Sequence, residues 1–166
     1  MEQDTASSEF QVKKSKAAAI LTLSNGTTVC GSFFVAGSNA NYSGPERVGD
    51  VLNGEDGFFP FEVSSPQGPR TALYHRAHVM TVSLEDQREP QWDPGYPVAA
   101  RRWVSMLLSN GTRVSGAIRV YTPPGHERLS DYARTPETFR YVETPVDTLL
   151  VNIAHVIELV ETDEHE

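Results

Sequence analysis

Two histidines, His78 and His155, stand in the same local context, Ala-His-Val, and a matched pair of this kind is one of the few arrangements in the chain that could do chemistry. Paired neutral imidazoles can hold a metal, and imidazoles near neutral pH switch charge. The competing reading makes each a half-buried structural side chain, because His155 shares strand parity with Ile157 and Leu159. A second matched pair is Glu46-Arg47-x-x-Asp50 and Glu127-Arg128-x-x-Asp131. Its carboxylates could act as acid and base. Arg and Asp three residues apart more simply form an ion pair that pins a helical turn. Cys30 has no histidine close in sequence, and its counterpart is Ser115, so a core or interface thiol is expected instead of a nucleophile. One cysteine also excludes an internal disulfide and a multi-cysteine metal site. There is no Gly-x-Ser-x-Gly elbow, no phosphate loop ending in Lys-Ser/Thr and no His-Glu-x-x-His. These residues predict a protein that is not an enzyme and holds neither cofactor nor metal, with His78 and His155 as the one candidate pair.

Both pairs belong to a longer internal repeat. Leu23-Ser-Asn-Gly-Thr-Thr-Val-Cys-Gly31 returns as Leu108-Ser-Asn-Gly-Thr-Arg-Val-Ser-Gly116; Phe58 and Glu62 return as Phe139 and Glu143, and Leu73 as Leu150. Two copies of one folding unit are implied. The offset between copies shrinks twice along the chain, and both losses fall in stretches that read as loops.

Alternation around each Asn-Gly predicts a hairpin with one buried face. Ala19, Leu21 and Leu23 face inward with Val29, Gly31, Phe33 and Val35; Val104, Met106 and Leu108 face inward with Val114, Gly116, Ile118 and Val120. A glycine on the inward parity permits a sharp bend or a close crossing strand, which suits a small closed barrel. A short polar stretch with helical character follows in each copy, over 47–53 and 128–134. Strands at 58–63, 72–75 and 78–84 then answer to strands at 139–143, 148–152 and 155–160. The expected fold is mainly β, a tandem duplication of a small five-stranded, strongly bent barrel with a short helical insertion in each copy. Its organisation is a disordered polar tail at 1–17, a first repeat at 18–86, a linker at 87–101, a second repeat at 102–163 and an acidic tail at 164–166. The linker holds three prolines with Trp92 and Tyr96, and reads as a semi-rigid strap that docks through its aromatics.

The bent hairpin around Asn-Gly-x-x-Val-x-Gly, followed after an insertion by Leu73-Tyr-His-Arg-Ala-His-Val79 or Leu150-Val-Asn-Ile-Ala-His-Val156, resembles the two halves of the Sm-like small barrel, including its bacterial Hfq type. SH3-like barrels share that topology. The stretch Arg128-Leu-Ser-Asp-Tyr132 ahead of Phe139 also resembles bacterial domains of unknown function. What the Sm-like resemblance implies is RNA binding by a basic lining near the last strand pair, at positions held here by His75-Arg76 and Asn152-Ile153.

Charge argues the other way. The chain carries a net charge of −8, and the acid excess falls on both repeats, a poor match to a phosphate backbone. Nucleic acid is therefore the alternative partner, through Lys13, Lys14, Lys16, Arg101 and Arg102. The leading expectation is a non-catalytic protein-binding or assembly module, acting on a protein partner or by self-association. An enzyme with an unrecognised site ranks third. Phe34, the drier counterpart of Arg119, is expected at a contact between copies or subunits, while Arg119→Glu is expected to do little. Phe34, Trp92, Tyr96, Arg47, Arg128 and Tyr132 make up the candidate interaction surface. No apolar run reaches the roughly 20 residues of a membrane span, and no export signal or glycosylated triplet is expected, which predicts a cytoplasmic protein.

Overall fold

Hydrophobic alternation broken by Asn25-Gly26 folds β1 (Lys14–Leu23) onto β2 (Thr28–Ala36), and the same pattern at Asn110-Gly111 folds β6 (Ala100–Leu108) onto β7 (Arg113–Val120). Gly26 and Gly111 each take φ of +87°, a conformation the hairpin turn needs and side-chain-bearing residues resist. The computed structural model describes residues 14–37, 46–121 and 129–163, with only the backbone at Asp131. The remaining strands are β3 (Phe58–Val63), β4 (Arg70–His75), β5 (Val79–Leu84), β8 (Phe139–Glu143), β9 (Thr148–Asn152) and β10 (Val156–Glu161). Helix α1 (Val48–Gly54) and the shorter α2 (Leu129–Ala133) occupy the two insertions. β1 starts at Lys14, paired with Ala36, so the strand reaches into the stretch read as a disordered tail. The rest of that tail, Lys13 included, and residues 164–166 lie outside the described residues.

All ten strands join one antiparallel sheet in the order β10-β6-β7-β8-β9-β5-β1-β2-β3-β4. The order β5-β1-β2-β3-β4 in one half therefore matches β10-β6-β7-β8-β9 in the other, and the registers correspond, as in Phe58↔His75 and Phe139↔Asn152. Closure, however, is absent. The sheet keeps two edges, β4 and β10, instead of forming two closed barrels, because β5 and β9 spend their outer backbone groups on each other.

Packing follows that central pairing. One core gathers Leu21, Phe33, Phe59, Phe61 and Val82 with Phe139 and Leu150 from the other half; the second gathers Val104, Met106, Leu108 and Ile118 with Met80. Each core thus borrows side chains across the junction. A short 3-10 turn links the last two strands of each half, the amide of its second residue capped by His75 Nδ1 accepting from Ala77 N–H at 3.1 Å or Asn152 Oδ1 accepting from Ala154 N–H at 3.0 Å. Among the described residues no helix is long and apolar enough to cross a membrane.

The inward glycines are needed for close approach. A Cβ at Gly31 would lie 1.9 Å from Glu62 O, and one at Gly116 would lie 2.5 Å from Glu143 O. Both targets are backbone and cannot turn aside. Gly31→Ala is expected to cost about 2–4 kcal/mol and Gly116→Ala less, read from urea-denaturation midpoints. Wild-type midpoints for both variants would contradict this account of the bend.

Candidate functional site

Arg47 enters α1 in an extended conformation, its N–H donating to Asp50 Oδ2 at 2.9 Å and its guanidinium to Asp50 Oδ1 at 3.1 Å. The same guanidinium lies 3.8 Å from Asp93 in the strap. The ion pair expected at Arg47 and Asp50 thus exists, and it orients the helix entrance toward the other half of the chain. At the far end, Asn53 donates to Phe139 O and accepts from Phe139 N–H, both at 2.8 Å. That two-way bond fixes α1 against β8.

The strap supplies the third wall, as two 3-10 turns, Glu89–Trp92 and Tyr96–Val98. Its anchor is an acid. Glu89, 4% exposed, accepts from Val48 N–H at 2.5 Å, from Gly49 N–H at 3.3 Å and from the Tyr141 hydroxyl at 2.6 Å. Burial pushes the Glu89 carboxyl above its ordinary value of 4.5 and holds Tyr141 well above 10. Tyr96 docks as well, donating to Glu143 at 2.5 Å while Arg119 lies 4.2 Å over its ring and 3.2 Å from Glu143.

These walls enclose a cleft of about 350 Å³ between α1, the strap, β7 and β8, floored by Tyr141 and opening beside Tyr121. Tyr121 is 48% exposed, and its pKa is pushed up to about 12 by partial burial and by Asp93. Deeper in, burial likewise pushes Tyr132 up to about 12. Arg140 lies 4.5 Å over the Tyr132 ring and donates to the carbonyls of Tyr132, Thr135 and Glu137. The cleft therefore presents tyrosines that remain protonated at neutral pH and guanidiniums already engaged with carboxylates or carbonyls. Such a lining offers a guest the exposed ring of Tyr121 to stack on.

Of the residues singled out by sequence, Arg47 and Tyr132 line this cleft, and Tyr96 sits behind it, bonded to the lining residues Glu143 and Arg119. Trp92, 38% exposed, lines a separate hollow of about 530 Å³ with Lys16, Glu46 and Leu84. Phe34 is half-buried on β2, opposite Lys16, while the two halves meet at β5 and β9. Arg128 lies outside the described residues. Arg119, expected to matter little, is instead the clasp between strap and sheet. Cys30 is exposed, which removes the core alternative of the core-or-interface expectation.

His78 and His155 sit in the 3-10 turns instead of on strands, and a register shift after Val156 leaves Ile157 exposed, so the shared parity fails. Each ties a hairpin turn, His78 Nδ1 to Ser24 Oγ at 3.1 Å and His155 Nδ1 to Ser109 Oγ at 2.9 Å; His155 Nε2 also reaches Ala77 O at 2.7 Å. No group of three metal-ligating side chains occurs among the described residues. Sequence reasoning missed Glu89, Arg119, Tyr121 and Tyr141. The one available signal was an isolated glutamate inside a proline-rich strap.

Compared with models of protein families, with curated proteins and with solved structures, the chain gives no match.

A carboxyl whose pKa is raised by folding stabilises most below its ordinary value and loses that contribution as pH rises through the folded value. Wild type should therefore lose stability relative to Glu89→Gln as pH rises from about 4.5 upward. Urea midpoints of the two proteins across that range test it; parallel curves would show that Glu89 ionises as freely folded as unfolded.

Proposed function

We propose that the chain is a non-catalytic protein-binding module of the cytoplasm, built from two pseudo-equivalent small β-units of Sm-like or SH3-like type, whose junction cleft receives a segment of a protein partner. The observation that carries this reading is the cleft lining itself. Tyr121, Tyr132 and Tyr141 line it, and Arg119, Glu143, Arg47 and Asp50 are held in fixed pairs. Pre-positioned aromatics of this kind give contact area at small entropic cost, which favours recognition. Protonated tyrosines and paired cations, by contrast, offer no group poised to take a proton at neutral pH.

The matching strand order of the two halves supports the duplicated-unit reading. Nucleic acid fits less well. Lys16 is paired with Glu62 at 3.0 Å, Arg102 with Glu161 at 3.4 Å, and Arg101 lies on the Trp103 ring. Arg76, at a position where the Sm-like resemblance implies a basic lining, turns inward and donates to the carbonyls of Asp56, Phe58 and Val51. Cations placed so cannot gather along a backbone of phosphates.

A photo-crosslinking side chain at Glu137, an exposed residue of the cleft lining, and another at Val146, which is 85% exposed on the turn between β8 and β9 and does not line the cleft, provide the test. The expected result in cells is one partner band from position 137, absent from position 146 and weakened at least about tenfold by Tyr121→Ala, the size of a lost aromatic anchor. Identical bands from both positions would remove the cleft from the account.

A further inference from the structure

The seam between the halves is the antiparallel pairing of β5 with β9, in the register Thr81↔Val151, Val82↔Leu150, Ser83↔Leu149. By the repeat, β10 corresponds to β5 and β4 to β9, and these are the two strands at the free edges of the sheet. Side chains tell the same story. Met80, Leu150 and Phe139 seal the seam at 0%, 0% and 1% exposure, whereas their counterparts Ile157, Leu73 and Phe58 are 66%, 65% and 61% exposed. Positions that serve as core at the seam are bare at the edges.

The backbone is also ready to pair. Thr162 N–H donates to Trp103 O and Arg76 N–H to Gly57 O. By the two-residue alternation of antiparallel ladders, Leu159 and Leu73 then turn their amides away from the sheet. Leu159 is the counterpart of Val82 and Leu73 that of Leu150, so the two outward-facing positions are those that pair at the seam. Long apolar edges are ordinarily guarded against such contact by inward charges, bulges or proline.

We propose that β10 of one chain pairs antiparallel with β4 of a second copy of this chain, repeating the internal seam between molecules. The transferred register sets Glu158 against Tyr74, Leu159 against Leu73 and Val160 against Ala72 of the second copy. Ile157 enters the first core of the second copy, while Phe58 and Leu73 of that copy enter the second core of the first. The contact is head to tail, so successive copies close into a ring or extend as a filament. It is independent of the cleft, and its failure leaves the cleft reading standing.

Light scattering across a dilution series tests the proposal. Wild type is expected well above the mass of one chain. Leu73→Pro removes an outward amide on β4, and Ile157→Lys puts a charge where β10 would be covered; each should be monomeric with an unchanged far-ultraviolet spectrum. Because the two variants block opposite edges, mixing them should give one-to-one dimers and nothing larger. Phe58→Asp replaces Leu73→Pro should the latter fail to fold. A monomeric wild type, variants that keep the wild-type mass, or a mixture that stays monomeric would each overturn the proposal.

Discussion

Val82 faces Leu150 across the ladder between β5 and β9, and the rest of the structure hangs on that ladder. A unit of about 60 to 70 residues buries too small a fraction of its surface to be robust alone. Here each half lends the other its missing core: Phe139 and Leu150 pack with Phe33 and Phe61, and Met80 packs with Met106 and Ile118. Polar bonds reinforce the same seam. Ser83 donates to Asp147 at 2.6 Å, Asn152 donates to Val79 O at 2.9 Å, and Asn53 binds the backbone of Phe139 in both directions.

The cleft is a by-product of how the two halves are tied. Bringing β9 beside β5 sets α1 over β8, and the strap must then cross the resulting groove to reach β6. Glu89 holds the strap's beginning and Tyr96 its end, the one by burying a carboxyl against two helix amides and a tyrosine, the other by a hydroxyl bond under an arginine. Buried polar contacts of this type are costly to leave half made, so they specify one position of the strap over its neighbours.

Much of the sheet was legible from alternation and glycine. Val104, Met106 and Leu108, or Phe33 and Val35, sit inward as their parity requires, and both Asn-Gly turns fall where the alternation breaks. Closure was not legible, because an edge strand and a central strand can carry similar residues: Leu73 and Leu150 are the same amino acid, one bare and one buried. The cleft was visible only in part. Arg47, Tyr96 and Tyr132 stand out by type, but Glu89 and Tyr141 lie 52 residues apart and acquire meaning only once the strap is folded back. His78 and His155 were conspicuous for their repetition, yet what repeats is a serine tether, a bond that pairs each with a residue far upstream.

The seam joins Thr81 to Val151, whereas the hairpins β1–β2 and β6–β7 are made of near neighbours. During synthesis the strands of the first half are all present once Leu84 has emerged, but β9 does not exist until Thr148 has been added. Through that interval β5 presents an unpaired edge, and Met80 and Val82 lack the side chains that later cover them. Local hairpins form early and the distant ladder late, as loop-closure entropy dictates. The nascent chain therefore passes through a sticky half-molecule whose natural quencher is its own C-terminal half, so any pause in translation between the two halves lengthens its exposure to aggregation and to chaperones.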